Sequence, residues 1–295
     1  MKRIRLRAHA KVNYSLEVTG VRDDGYHTLR TVFQSISLAD ELSFERAEGR
    51  GEGFALEVEP PKAPLGPPGE NTVRRAWELV CERAGRTLPV RVSLLKRVPA
   101  GAGLGGGSAD GAATLVGLSE LYGLGLSEEE LLGIAARVGA DVPFCLLGGT
   151  RLGEGVGERL TPLPPPPEHY IAVAKPEASA STAEIFRIYD RRSVERKGNS
   201  RPVMAAIRAG SLTRLASSVG NDLAPLTAAL VPEVLDYERA LLEAGALGTA
   251  MTGSGTAVYG IFADERRARA ALLGEKLAGA AVGVFRPARS GVEPL

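Results

Sequence analysis

The sequence predicts an α+β protein of two domains. Three features point there: strand patterns fill the chain as far as Val58, a glycine-rich segment joins a strand to a helix near residue 100, and the order after a proline-rich stretch is βαββαβ once extra helices are set aside. With 295 residues the chain is long enough to build two cores. The boundary is placed at Thr161-Pro-Leu-Pro-Pro-Pro-Pro167, dividing residues 1–160 from 161–295.

Alternating charged and apolar residues at 3–9 read as a strand with one buried face, and 14–19 as a second, with Ala10-Lys-Val-Asn13 at their junction. Asp24-Gly25 supplies a reversal and presents Tyr26 and His27, suited either to reading a flat base or to packing. Strand patterns resume at 31–38, 41–45 and 54–58 as one mostly antiparallel sheet. Residues 60–69 carry too many prolines for a ladder or a helix and read as an exposed loop. Asn71 then caps a helix with Val73, Ala76, Trp77, Val80 and Ala84 on its apolar face, and Gly85 ends it.

A strand at 90–95 leads into Pro99-Ala-Gly-Ala-Gly-Leu-Gly-Gly-Gly-Ser-Ala-Asp110, followed by a helical pattern at 112–122. Bare backbone N–H groups at such a helix N-terminus suit an anion, above all nucleotide phosphates. Gly101, Gly103 and Gly106 satisfy G-x-G-x-x-G, yet Ser127-Glu-Glu-Glu130 opens a second helix where a dinucleotide fold needs a strand. No Walker-type G-x-x-x-x-G-K-[ST] occurs. A plain packing turn leaves five glycines between 101 and 107 without a ligand to approach.

Asp141 reads as lying just past a helix C-terminus, two residues before Pro143, which is taken to forbid further helix. That end of a helix favours cations, so the residue needs another reason: a turn, or a carboxylate that works near phosphates. Residues 148–157 read as a glycine-rich hairpin. The second half then runs strand 170–174, helices to Glu243, strands 249–251 and 257–262 around the glycine loop Thr252-Gly-Ser-Gly-Thr256, helix 265–277 and strand 282–285.

A net charge of +1 with dispersed lysines and arginines argues against nucleic acid or membrane as the main partner. Cys81 and Cys145 stand far apart without metal-ligand spacing and read as free thiols of a reducing cytoplasm. The N-terminal residues resemble neither a signal nor a transit peptide, and no apolar run is long enough to span a bilayer.

Ala10-Lys-Val-Asn13, Pro99 to Ser108 and Met251-Thr-Gly-Ser-Gly-Thr256 fall in the order of the substrate segment, phosphate loop and C-terminal glycine motif of the GHMP kinases. The chain resembles that family over nearly its whole length. The segments Asp24-Gly-Tyr-His-Thr28, Phe33 and Gly139-Ala-Asp-Val-Pro143 are most similar to members acting on a cytidyl-bearing methylerythritol of the non-mevalonate isoprenoid route. The resemblance implies a two-domain GHMP fold, its N-terminal half like ribosomal protein S5 domain 2 and its C-terminal half ferredoxin-like, with the final strand free to pack back on the first half. It implies a cytoplasmic enzyme that passes the γ-phosphoryl of ATP to a C2 hydroxyl, with Mg2+ neutralising phosphate charge. Asp141 matches the carboxylate that takes the hydroxyl proton, and Lys11 the lysine paired with it. Asn13 and Thr182 match positions near the erythritol and phosphate, and Tyr26, His27, Phe33 and Phe186 the cytidine pocket. Pro99, Gly101, Gly103, Leu104, Gly105, Gly106, Gly107 and Ser108 match the ATP phosphate cradle. Two positions depart from the pattern. His9 replaces a proline, read as a packing change, and Ala109 replaces a second serine, which leaves Asp110 either to serve a metal or to favour the helix N-terminus by its charge. Rival readings are a GHMP enzyme with a mevalonate-type or sugar substrate, a diphosphomevalonate decarboxylase, or a nucleotide-binding regulator without turnover.

Overall fold

Two long antiparallel strands, β1 (Arg3–Val21) and β2 (His27–Arg46), form the frame of the first half. The computed structural model describes residues 2–47, 53–60, 71–191, 198–277 and 279–295. Most of the proline-rich stretch at 60–69 lies outside them. The sequence suggests four short strands where the structure has these two. Register shifts at His9/Lys11, Asn13/Ser15 and Val18/Gly20 explain the difference, since each bulge resets the alternation by one residue without ending the strand. Lys11 therefore sits inside a bulged strand, not at a junction.

Next to β2 lies β4 (Val90–Leu95), and β3 (Phe54–Glu59) pairs parallel with β4 at the sheet edge. The glycine-rich hairpin forms as β5 (Thr150–Gly155) and β6 (Arg159–Pro162), with β5 pairing the first part of β2. Against one face of this sheet pack α1 (Thr72–Ala84), α2 (Gly106–Tyr122), α3 (Glu128–Val138) and α4 (Val142–Leu147). The caps are as the sequence predicts: the Arg74 N–H donates to Asn71 Oδ1 at 3.0 Å, and Ser127 and Glu130 form a capping box.

The second sheet has the order β11 (Ala281–Phe285), β7 (Tyr170–Ala174), β10 (Val258–Phe262), β9 (Gly248–Met251), every neighbour antiparallel. In chain order that is 4-1-3-2, the ferredoxin-like arrangement. Between β7 and β9 run α5 (Thr182–Tyr189), α6 (Ser200–Arg208), α7 (Leu212–Ser218), α8 (Ala224–Leu230) and α9 (Glu233–Glu243). After β10, α10 (Glu265–Leu272) stops short of Leu277, with Gly274 separating it from a 3-10 turn at Glu275–Leu277.

Two short strands tie the halves together: β8 (Gly220–Asn221) runs parallel to β1, and β12 (Val292–Pro294) pairs antiparallel with Leu6–Ala8. The strand predicted at 282–285 stays in the second sheet as β11, and the segment that returns to the first is β12. His9 lies at this return, and its backbone N–H donates to the Gly291 carbonyl oxygen at 2.8 Å. Its Nδ1 lies 3.0 Å from the Ile36 carbonyl oxygen and its Nε2 3.1 Å from Glu293 Oε1 of β12.

β1 supplies all three buried clusters. Leu6 and Ala8 join the helices of the first half; Val12 and Tyr14 meet Ile171, Val173 and Tyr259 between the sheets; Leu16 and Val18 meet Ile185 and Leu223. Each such Val, Leu or Ile side chain contributes about 1.5–3 kcal/mol by burial. Lys11 and Asn13 are thereby held rigidly at the middle of the molecule.

Candidate active site

After β4 the chain passes through residues 96–105 and turns into α2. Gly105 takes the N-cap place with no side chain to cap the helix, so the first-turn N–H groups stay open to a ligand. Gly106, Gly107 and Ser108 line a cleft of about 340 Å³ together with residues 98–105, Asn71, Thr72, Lys96 and Asp110. Several glycines are demanded by protein neighbours as well as by room for a ligand. At Gly103 φ is +74° and an added Cβ would stand 2.1 Å from the Thr252 carbonyl oxygen; at Gly105 φ is +72° and a Cβ would stand 2.9 Å from Lys11 Cγ. The phosphate loop thus rests directly on the second glycine loop.

On the other side of Gly103 and Gly105 opens a cavity of about 770 Å³. Lys11, Asn13, Tyr26, His27, Phe33, Asp141, Thr182 and Phe186 all line it, along with Ser108 and residues 253–255. Lys11 is 3 % exposed, and its ammonium lies 3.4 Å from Asp141 Oδ2, whose side chain is 33 % exposed. The same ammonium donates to Asn13 Oδ1 at 2.9 Å and sits 5.5 Å over the Phe33 ring. Asp141 lies just past the end of α3, as its sequence context suggests, but Pro143 does not forbid further helix: it stands in the first turn of α4, whose N-cap place Asp141 occupies. Proline is tolerated there because its missing N–H is one the helix leaves unpaired, and that end of a helix favours an anion.

Asn13 is the hub that fastens this wall. Its backbone N–H donates to Thr252 Oγ1 at 3.1 Å, the Gly253 N–H donates to its Oδ1 at 2.9 Å, and its Nδ2 donates to Thr31 Oγ1 at 2.7 Å. The buried Tyr259 hydroxyl donates to its carbonyl oxygen at 2.9 Å. Behind the loop, Asn221 Nδ2 donates to the carbonyls of Met251 (2.9 Å) and Gly253 (2.7 Å).

The base-pocket candidates separate. His27 and Phe186 stack at 4.6 Å and 23°, Tyr189 meets His27 edge-on at 5.5 Å, and His27 Nε2 lies 2.7 Å from Asp190 Oδ1. Tyr26 is 67 % exposed. Phe33 is buried and stacks on Phe144 at 4.6 Å, so it backs Lys11 more than it faces solvent. The hydroxyls of Thr182 and Ser254 are 2.7 Å apart, joining α5 to the second glycine loop.

Ser254 was legible inside its glycine motif, but no local pattern marks Asn221, Tyr259 or Asp190. Asp110, open to two readings from sequence, is buried against Lys96 and Asp40. It lies four residues beyond Gly106, the first residue of α2, and its carboxyl group faces Lys96 and not the open helix end. Among the described residues no three His, Cys, Asp or Glu side chains cluster to hold a metal, and no helix is long and apolar enough to cross a membrane.

A phosphate loop at a helix N-terminus, opening beside a lysine–carboxylate pair in a shared cavity, defines a phosphotransferase acting on small molecules. The family model for the GHMP kinases N terminal domain matches residues 71–149, and that for GHMP kinases C terminal matches 203–274. The chain belongs to the GHMP kinases, which are ATP-dependent enzymes. Within them it is 45 % identical over 269 residues to the 4-diphosphocytidyl-2-C-methyl-D-erythritol kinase of Moorella thermoacetica, covering 90 % of this chain and 92 % of that one. A relative of the same name from Pelotomaculum thermopropionicum is 42 % identical over 262 residues, covering 89 % and 90 %. A crystal structure of 4-(cytidine 5'-diphospho)-2C-methyl-D-erythritol kinase superposes with a TM-score of 0.76 at 33 % identity, over 96 % of this chain and 99 % of the other. Homoserine kinase from Cytophaga hutchinsonii superposes with a TM-score of 0.78 at 20 % identity, over 100 % and 98 %, a likeness of fold alone.

Proposed function

We propose that this kinase transfers the γ-phosphoryl group of ATP to the C2 hydroxyl of 4-diphosphocytidyl-2-C-methyl-D-erythritol, giving the 2-phosphate and ADP in non-mevalonate isoprenoid synthesis. The observation that carries the reading is the Lys11–Asp141 pair. It opens on one cavity with the phosphate loop at one end and the stacked His27–Phe186 pair on its wall. In this reading the phosphate loop holds ATP, and His27, Phe186 and Tyr26 take the cytidine. Asn13 and Thr182 position the erythritol and its phosphates.

Asp141 takes the proton of the C2 hydroxyl while the Lys11 ammonium steadies the alkoxide. The oxygen bonds to the γ-phosphorus as its bond to the β-phosphate bridging oxygen breaks, ADP departs, and the proton remains on Asp141 until water removes it. A tertiary alcohol is a weak nucleophile, so alignment and charge neutralisation supply most of the acceleration. Magnesium arrives as part of the MgATP substrate, which needs at most one or two protein oxygens, and no resident metal site is assigned. Residues 1–160 then form the ATP-binding half and supply most of the substrate contacts, and residues 161–295 contribute Thr182, Phe186 and the second glycine loop. ATP and a soluble sugar nucleotide as reactants suit a cytoplasmic enzyme with neither nucleic acid nor membrane as partner.

A coupled ADP-release assay tests this with the intact cytidyl substrate, mevalonate, and the cytidyl compound lacking its C2 hydroxyl. Turnover with the intact cytidyl substrate alone is expected; turnover with mevalonate instead overturns the assignment of His27 and Phe186.

A further inference from the structure

On the side of the phosphate loop away from the Lys11 cavity, three charged side chains are sealed together. Lys96 Nζ, at the end of β4, lies 2.5 Å from Asp40 Oδ2 of β2 and 2.8 Å from Asp110 Oδ2 of α2, and the three side chains are 8 %, 0 % and 4 % exposed. One ammonium cannot balance two carboxylates in such surroundings, and the two are not equivalent. Asp40 Oδ1 accepts the backbone N–H groups of Arg97 (2.5 Å) and Val98 (2.8 Å), the setting of a stable anion. Asp110 Oδ1 is buried with no hydrogen-bond partner among the described residues. A bare carboxylate oxygen in that position is costly, and a proton on the acid lowers the cost by removing the charge.

We propose that Asp110 is a neutral carboxylic acid in the folded enzyme, a positioning residue whose proton keeps the floor of the phosphate loop from repelling nucleotide phosphates. Lys96 and Asp110 both line the 340 Å³ cleft with Gly106, Gly107 and Ser108, and a Cβ built on Gly106 would stand 3.3 Å from Lys96 Nζ. With the proton in place, Lys96 and Asp40 cancel and the N-terminus of α2 keeps its full attraction for anions. Without it the cluster carries a net negative charge directly beneath the loop. Burial, and then the charge of Asp40, push the Asp110 carboxyl well above the usual range against the pull of Lys96. The other titratable group facing it, Cys145 of α4, is itself pushed up by burial and stays a neutral thiol. The proposal rests on reading this cleft as the nucleotide site.

The test combines infrared difference spectroscopy with calorimetric titration of a non-hydrolysable ATP analogue into wild type, Asp110→Asn and Asp110→Ala across pH. The expected result has three parts. The wild-type minus D110N spectrum contains the C=O stretch of a protonated acid at neutral pH. D110N, a neutral near-isostere, binds the analogue within about twofold of wild type, a difference well below the roughly tenfold change equal to about 1.4 kcal/mol. Wild-type affinity falls relative to D110N over any pH range in which the acid band fades. Absence of the band at neutral pH, or a tenfold weaker Kd in D110N there, overturns the proposal even if D110A fails to fold. No analogue binding by the wild type at any pH overturns instead the assignment of the cleft, and the proposal with it.

Discussion

Two lysine–aspartate clusters flank the same glycine loop, and they differ in whether a ligand can reach the carboxylate. Lys11 is buried but Asp141 is one-third exposed on a cavity wall, 3.4 Å away. Lys96 grips Asp40 and Asp110 more closely, and both carboxylates are almost wholly buried. A carboxylate that trades a proton with a substrate must be open to it; one that only sets the charge of its surroundings works best sealed. In the proposed reaction the open cluster is the chemical one, and the proposal for Asp110 makes the buried cluster a fixed electrostatic support.

The most direct way to break this contrast is Asp141→Asn. It should lower kcat by roughly 10²–10⁴-fold, the usual worth of a general base, and leave the nucleotide Kd unchanged; near-normal kcat in steady-state assays would mean the open cluster is not the reactive one. Gly103→Ala tests the seam between the clusters. Its Cβ would meet the Thr252 carbonyl oxygen at 2.1 Å in a left-handed backbone, so a loss of roughly 1–3 kcal/mol is expected in urea denaturation. Wild-type stability would show that the two glycine loops yield to each other.

Phe186→Ala sharpens the comparison on the open side. Losing a stacking partner worth about 0.5–1.5 kcal/mol should raise KM for the cytidyl substrate by up to about tenfold with little change in kcat. An equal fall in kcat would place Phe186 in the phosphoryl-transfer step. The smallest expected effect lies outside both clusters. His169 is buried, Tyr14 OH donates to its Nε2 at 2.9 Å, and its Nδ1–H donates to the Pro167 carbonyl oxygen at 2.7 Å, so the ring is held neutral. Burial lowers its pKa in the folded state. The unfolded chain therefore binds the proton more readily, and stability present above a pH of about 6.5 should decline as pH falls below it. Thermal melts of wild type and His169→Gln should show a steeper acid decline in the wild type, and parallel curves would remove His169 as the cause.

Much of the fold was legible because its signals are local. Asn71 and Ser127 cap helices, Asp24-Gly25 turns the chain, and the strand and helix periods of residues 170–285, with the extra helices set aside, give the ferredoxin-like plan. The failures have physical causes too. Bulges hid the continuity of β1 and β2 by shifting their alternation. Pro143 was read as forbidding further helix when it sits in the first turn of α4, so Asp141, correctly placed past the end of α3, was not seen to begin a second helix as well. Lys11 and Asp141 came from likeness to a family, since no spacing joins residues so far apart. Asp40 and Lys96 carry no motif, and Asp110 closes the glycine-rich segment with nothing to mark its partners; only the packing of β2, β4 and α2 brings the three together.

The way β1 is shared bears on how the cavity admits its ligands. The proline-rich segment at 163–167 has the composition of a hinge, yet β8 and β12, both beyond it in the chain, are hydrogen-bonded to β1 on the near side. Swinging one half against the other would break both ladders and split the cluster that Val12 and Tyr14 share with Ile171 and Val173. At the cavity mouth α5 is tied by the Thr182–Ser254 hydroxyl pair and by the contacts of Phe186, Tyr189 and Asp190 with His27, while Ile185 anchors it in the core. The two halves are thus held as one frame, and the cavity is walled by residues from both sides of the proline-rich segment.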